Sequence, residues 1–487
     1  MAISLLHRAD SQAKVSPMDP RVLFHLSFDR SFSYVCADVN KRDRFLSILS
    51  ALTDDPSDIR YRQEVICDLY ENPMLSEQLF SLFSRFEELM VAQKNAGRDE
   101  YRLNATRNTS LTSAKNILQT QALCLKRALL FVKAFGELLA GYSLRSSALL
   151  DLLGACREIY ESPSFEKLLL YCAKYEKFSA NGFLDFKVTW NEEGRIAAYE
   201  LIDHRYIRIT DPELKKKGFS LFKKADETVY PCERVYVPKG EFYESLAVSA
   251  LSDLTSCFSS LSEQIFSRFA EIGDELAFYD VALRYVCCLD EKQVPYCFPT
   301  VTCDGEFAAE QLRDLYLLMT KESASDVVAN DVRMPHGAGG VLVFGNNGSG
   351  KTVFLRSIGT LQVLAQAGLP VPCKHATVTP CSQIATQFSE AEKEFCEGND
   401  AGRFEQEVRE LAAMVDTLRD GALVLLNETF QSTAYREGAE GLYHLLKYFS
   451  EQNIRWILVS HLRDLEKMLA PDDAAVLHTA EGYRICQ

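Results

Sequence analysis

Residues 345–352 read Gly345-Asn346-Asn347-Gly348-Ser349-Gly350-Lys351-Thr352, a match to G-x-x-x-x-G-K-[ST], the loop that cradles nucleotide phosphates. Glycines at 345, 348 and 350 allow the backbone to turn tightly, so that successive N–H groups can face one anion. In such a loop the lysine meets the β- and γ-phosphates and the hydroxyl meets Mg²⁺. All eight residues are therefore the expected ATP contacts, with Thr352 as a Mg²⁺ contact. The context supports this reading. Val341-Leu342-Val343-Phe344 is a four-residue apolar run of the kind a buried strand makes. Residues 353–367 have helical spacing, with Phe354, Ile358, Leu361 and Ala365 on one face, and Gly368 and Pro370 stop the helix. The competing reading, a Gly/Asn turn beside a surface lysine, does not require that strand–loop–helix order.

A second apolar run, Leu423-Val424-Leu425-Leu426, ends in Asn427-Glu428. Phosphate-loop ATPases end such a strand with an acidic residue that holds Mg²⁺, and an adjacent glutamate can polarise the attacking water. Glu428 occupies the second place. The metal place holds Asn427, an uncharged amide. A third run, residues 454–459, precedes Ser460-His461. Taken alone, His461 is a loop histidine after a strand.

Together these pieces resemble the ATPase domain of the MutS DNA mismatch-repair family, most strongly over about residues 310–470. In that family G-P-N-x-x-G-K-S-T precedes D-E-I-G-R-G-T-S-x-x-[DE]-G and then a Thr-His strand end. Here the second segment is Asn427-Glu428-Thr429-Phe430-Gln431-Ser432-Thr433-Ala434-Tyr435-Arg436-Glu437-Gly438. The family's S-T-F-x-x-E segment corresponds to Gly402-Arg403-Phe404-Glu405-Gln406-Glu407, and Ala329-Asn330-Asp331-Val332 is similar to its P-N-D-V. The resemblance implies that Glu428 orients water and His461 senses the γ-phosphate. It also implies that Phe404 and Glu407 close on the nucleotide of a partner subunit in a homodimer. Several positions depart from the family: Asn346 replaces proline, Asn427 the metal-site aspartate, Gly402-Arg403 the Ser-Thr, and Phe430-Gln431-Ser432 the Gly-Arg-Gly. The expected turnover is slow. Transporter-type ATPases fit less well, because Asp416-Thr417-Leu418-Arg419-Asp420-Gly421 stands where they carry L-S-G-G-Q. Chromosome-condensation ATPases separate the two motifs by long coiled coils.

At 487 residues the chain is expected to hold more than one domain. Its 47% hydrophobic and 25% charged content is that of a globular protein. No apolar run approaches the ~18 residues a membrane span needs, and the polar first twenty residues lack a secretion signal. The fifteen cysteines include no C-x-x-C pair and read as reduced, mostly buried thiols of a cytoplasmic protein. Net charge is −15, which argues against a general polyanion binder.

Residues 57–175 read as helices, for example 113–139 and 148–175. An insertion at about residues 183–240 changes period. Phe186, Val188 and Trp190 alternate, Asn191 to Gly194 are turn-like, and Tyr206 to Ile209 are extended. It carries Lys215, Lys216, Lys217, Lys223 and Lys224, opposed only by Asp211 and Glu213 nearby. A solvated loop and a nucleic-acid contact both remain open for this run. Helix resumes near Phe242, with a seam through Leu251, Leu254, Phe258, Leu261 and Ile265. Long helices tipped by a β insertion are the lever-and-clamp layout of MutS-like proteins. The chain is expected to start near the family's core, without the mismatch-reading Phe-x-Glu domain or the connector.

The expected fold is thus a mainly helical core and lever domain over residues 1–300, with a small β-containing clamp, followed by an α/β P-loop ATPase domain over 301–487. The expected function is an ATP- and Mg²⁺-using clamp on duplex or branched DNA that ignores mismatches. RNA or a ribosome is a further possible partner, and no membrane is expected. The alternative is a nucleotide-gated scaffold with little turnover, acting on a protein or ribonucleoprotein.

Overall fold

The computed structural model describes residues 4–11, 16–105, 110–176, 182–190, 196–206, 241–334, 339–388, 400–430, 435–470 and 473–486. In chain order the elements begin with β1 (Ser16–Pro17), α1 (Pro20–His25), α2 (Phe28–Ser33), α3 (Val39–Leu49) and β2 (Ala51–Leu52). There follow α4 (Pro56–Glu71), α5 (Pro73–Ala105), α6 (Leu111–Ala140), α7 (Ser147–Tyr160), α8 (Pro163–Glu176), β3 (Gly182–Trp190), β4 (Ile196–Tyr206) and α9 (Glu241–Glu291). The last part holds β5 (Thr300–Val301), β6 (Phe307–Leu312), α10 (Leu315–Thr320), β7 (Asn330–Met334), β8 (Gly340–Phe344) and α11 (Lys351–Gln366). It ends with β9 (His375–Val378), β10 (Ile384–Phe388), α12 (Asp400–Val415), β11 (Leu423–Asn427), α13 (Tyr435–Glu451), β12 (Arg455–Ser460), α14 (Arg463–Met468), β13 (Ala474–Thr479) and β14 (Ile485–Cys486).

Two compact units result. One comprises Met1–Phe80, Tyr142–Leu152 and Glu271–Gln487, the other Ser81–Gly141 and Leu153–Ala270. The first is built on a six-stranded sheet in the order β10-β11-β12-β8-β13-β14, parallel except for the β13–β14 pair. Parallel strands are covered on both faces, so they read as unbroken apolar runs, and every residue of β8 and β11 is buried. Trp456, 0% exposed, packs against the backbone of Gly340. A second sheet, β5-β9-β6-β7, mixes parallel and antiparallel pairs and was not anticipated from the sequence.

Residues 1–80 share this unit with the phosphate loop. Leu26 lies against Gly359 of α11, and Gln366 Nε2 donates to Thr53 O at 2.8 Å and to Cys381 O at 2.9 Å. Helix α11 is therefore buried all round from Ser357 to Gln366, where the sequence suggested a single apolar face.

In the other unit the seam of α9 packs on helices of the same chain. Leu251 and Phe258 form one cluster with Leu118, Leu125 and Leu129 of α6 and Phe165 and Tyr175 of α8. Phe86 and Phe131 stack with centroids 4.0 Å apart, and Phe269 meets Phe131 edge-on at 5.1 Å. The helix expected over 148–175 is two helices, because Pro163 cannot donate into a preceding turn and opens α8 instead. The described residues of the insertion form an antiparallel hairpin of β3 and β4. The lysine run at 215–224 lies outside the described residues. The thirteen described cysteines are all free, but only five are buried and four are exposed, so the expectation of mostly buried thiols is corrected. No described helix is long and apolar enough to cross a membrane.

The Gly340 contact generates a prediction. A methyl group there would meet the ring and the backbone oxygen of Trp456, which is fully buried. Gly340→Ala should destabilise the protein by about 1–3 kcal/mol, the usual range for an overpacked core. An unchanged midpoint in denaturant unfolding would contradict the packing.

Candidate functional site

Register in the parallel sheet decides what lies together. Asn427 pairs with Val459, and Ser460 pairs with Phe344. The C-terminal ends of β11, β12 and β8 therefore share one edge, and the residues that follow them, Glu428, His461 and Gly345, leave from it. That edge is where parallel α/β sheets bind ligands.

The loop between β8 and α11 has the backbone its glycines allow. Gly348 and Gly350 have φ of 75° and 92°, the left-handed region that side chains disfavour. Gly345 has no room for a Cβ, which would fall onto the Thr479 side chain. Asn346, Asn347 and Gly348 are exposed, while Ser349 and Gly350 are half-buried. Gly350 caps α11 without a side-chain hydrogen bond to the first helical N–H groups. Those donors and the helix's positive end suit an anion.

Lys351 is 3% exposed. Its ammonium donates to Gly345 O at 2.8 Å and Asn346 O at 2.9 Å, and lies 3.3 Å from Glu428 Oε1. The loop is thus curled around its own lysine. Thr352 Oγ1 donates to Asn427 Oδ1 at 3.0 Å. Glu428 takes φ of 54°, a conformation that costs a non-glycine residue on the order of 1–3 kcal/mol. Its N–H donates to Val459 O at 2.9 Å. This bend at the strand end turns the carboxylate towards Lys351. Phe430 is also left-handed, at 64°, and between them the buried Thr429 hydroxyl donates to Gln387 Oε1.

The sequence-predicted residues thus separate into three groups. Lys351, Thr352, Asn427, Glu428 and the loop come together, and His461 follows β12 at the same edge. Phe404 and Glu407 lie in α12, with Glu407 half-buried. Lys215, Lys216, Lys217, Lys223 and Lys224 lie outside the described residues. Two supports were missed. Arg356, one turn into α11, forms a two-pronged pair with Asp314 at 2.6 and 2.8 Å, and Asp314 also caps α10. Asn330 Nδ2 donates to Tyr483 O at 3.2 Å, and Asn330 Oδ1 accepts from Ile485 N at 2.8 Å. No periodicity marks either contact, although Asn330 falls in the segment similar to P-N-D-V.

Chemically the site offers the first N–H groups of α11, one buried ammonium, a carboxylate and two neutral oxygens, those of Thr352 and Asn427. Adjacent hydroxyl and amide oxygens fit a hard, oxygen-seeking cation such as Mg²⁺. Among the described residues no cluster of three or more His, Cys, Asp or Glu could hold a metal alone, so such an ion here would complete its shell with oxygens of water or of a ligand.

A glycine loop closed on a buried lysine, at the C-terminal edge of a parallel sheet, defines a P-loop α/β domain. Residues 341–480 match the family model for MutS domain V. The protein named DNA mismatch repair protein MutS in Synechocystis sp. is 23% identical over 454 residues, 88% of this chain and 50% of that relative. Those of the same name in Thermosynechococcus vestitus and Methanococcoides burtonii are 29% identical over 231 residues and 25% over 293, covering 47% and 58% of this chain and 25% and 31% of theirs. The chain spans half or less of the length of these relatives. The chain is thus similar to the MutS family over most of its length, as a divergent relative.

The Thr352–Asn427 hydrogen bond can be measured directly. In a double-mutant cycle on folding stability, Thr352→Val and Asn427→Leu should show a coupling of about 0.5–1.5 kcal/mol, the net worth of one such bond. Additive effects would mean that the two side chains do not meet.

Proposed function

We propose that the chain is a nucleotide-dependent clamp on duplex or branched DNA that binds ATP with Mg²⁺ and hydrolyses it slowly. The observation that carries this reading is the Lys351 ammonium, buried and ringed by loop carbonyls at the edge where Glu428 also lies. In this reading residues 301–487 are the ATPase part and residues 1–300 the core and lever. The insertion at about 183–240 is the clamp, rooted in the β3–β4 hairpin. Lys215, Lys216, Lys217, Lys223 and Lys224 would meet DNA phosphates, which carry no sequence information.

The loop N–H groups of 345–352 and the Lys351 ammonium bind and orient the phosphates. Thr352 and Asn427 would hold Mg²⁺, which would supply charge neutralisation for the bound phosphates. Glu428, already at the sheet edge, accepts the proton of the attacking water once its carboxylate parts from Lys351. His461 contacts the γ-phosphate from the end of β12. Phe404 and Glu407, on α12, complete the site of a second copy, so the working form is a homodimer.

One observation favours a second reading, a nucleotide-gated scaffold with little turnover on a protein or ribonucleoprotein partner. The oxygen that Thr352 meets belongs to an uncharged amide, not to a carboxylate. ATP turnover with and without duplex DNA separates the two, since only the clamp reading expects DNA to change the rate.

Three outcomes are expected. Lys351→Ala should weaken ATP binding by about 2–5 kcal/mol, the scale for removing one partner of a desolvated charge pair; calorimetry showing unchanged affinity would remove the site assignment. Asn427→Asp should raise turnover at limiting Mg²⁺, because Mg²⁺ favours carboxylate oxygens in strict geometry. Equal rates across a Mg²⁺ titration would contradict this. Light scattering should detect dimers with saturating nucleotide, and monomer alone under every condition would defeat the composite site.

A further inference from the structure

The hairpin of β13 and β14 lies against both ends of the phosphate loop. Thr479, the last residue of β13, fills the space beside Gly345. Tyr483, in the turn, lies beside Gly350: a methyl group on Gly350 would sit 3.3 Å from Tyr483 Cδ1 and 3.8 Å from Cγ. The turn is tight and fixed. Gly482 and Tyr483 have φ of 72° and 63°, and Ala480 N donates to Arg484 O at 2.7 Å. Asn330, at the start of β7, grips the Tyr483 carbonyl and the Ile485 N–H with its two amide atoms. Yet the tyrosine thus held is 59% exposed. An unfavourable backbone conformation, an anchored turn and an open aromatic ring meet beside the residue that starts α11.

A nucleotide seated by its phosphates in this loop must extend its ribose and base out of the loop. Nucleobases stack on aromatic faces, and stacking tolerates any base because each has a π-face. Tyr483 supplies the exposed ring, on a backbone already anchored, so that less ordering entropy is lost when the ligand arrives. We propose that Tyr483 is the base-contacting residue of this site, giving affinity for nucleosides over bare polyphosphates. This rests on the nucleotide reading above and extends it to how the nucleoside is recognised.

The test measures equilibrium binding of ATP and of inorganic tripolyphosphate, each with Mg²⁺, to the full chain. The wild type should bind ATP more tightly than tripolyphosphate. Tyr483→Ala should weaken ATP binding about 5- to 150-fold, the equivalent of one base–aromatic stack, and leave tripolyphosphate unchanged. Tyr483→Phe should keep both affinities, and Lys351→Ala should weaken both. Tyr483→Ala binding both ligands as the wild type does, or losing both equally, would overturn the Tyr483 assignment while the phosphate site stands. A wild type that binds neither ligand would overturn the nucleotide reading and this inference with it.

Discussion

The burial of one ammonium group constrains everything around it. Lys351 is 3% exposed, and a charge taken that far from water is several kcal/mol unfavourable unless its donors are met. A lysine has three N–H donors, and three acceptors surround this one: two loop carbonyls and Glu428. Gly348 and Gly350 take the left-handed conformations that let the loop turn tightly between those carbonyls and the lysine. Glu428 can reach only because its own backbone bends at the end of β11 and the parallel register sets that end beside β8. One charge requirement thus fixes the resting conformation of the loop, the segment to which the proposed function assigns phosphate binding.

The parts read correctly from the sequence are those in which burial leaves a pattern. β8, β11 and β12 are covered on both faces and so appear as apolar runs followed at once by Gly345, Asn427-Glu428 and Ser460-His461. The seam of α9 appears because Leu251 and Phe258 are buried at helical spacing. The mixed sheet leaves no such trace. β5 is two residues long, and its partner β9 begins more than seventy residues later. The packing of residues 1–80 on α11 was hidden for another reason. Its contacts, such as Leu26 with Gly359 and Gln366 with Thr53, join residues far apart in the sequence. Tyr483 was invisible because its placement depends on a turn conformation and on Asn330, not on periodicity.

The departures from the family sit on this frame with physical consequences. Asn427 keeps the hydrogen bond to Thr352 but brings no charge to the site. Glu428 keeps its position at the strand end, and at rest it serves as the counter-charge of Lys351. In the proposed mechanism that carboxylate becomes free to activate water only after a ligand takes over the lysine. In the proposed function these two features set binding and turnover apart and underlie the expectation of slow hydrolysis.

The central claim, that residues 345–352 enclose phosphate through their backbone N–H groups, is tested most directly by amide hydrogen exchange with and without ATP and Mg²⁺. Donors engaged by a bound anion exchange more slowly. The account predicts slower exchange concentrated in the loop and the first turn of α11. Loop exchange unchanged at saturating nucleotide, with protection appearing elsewhere in the chain, would contradict it.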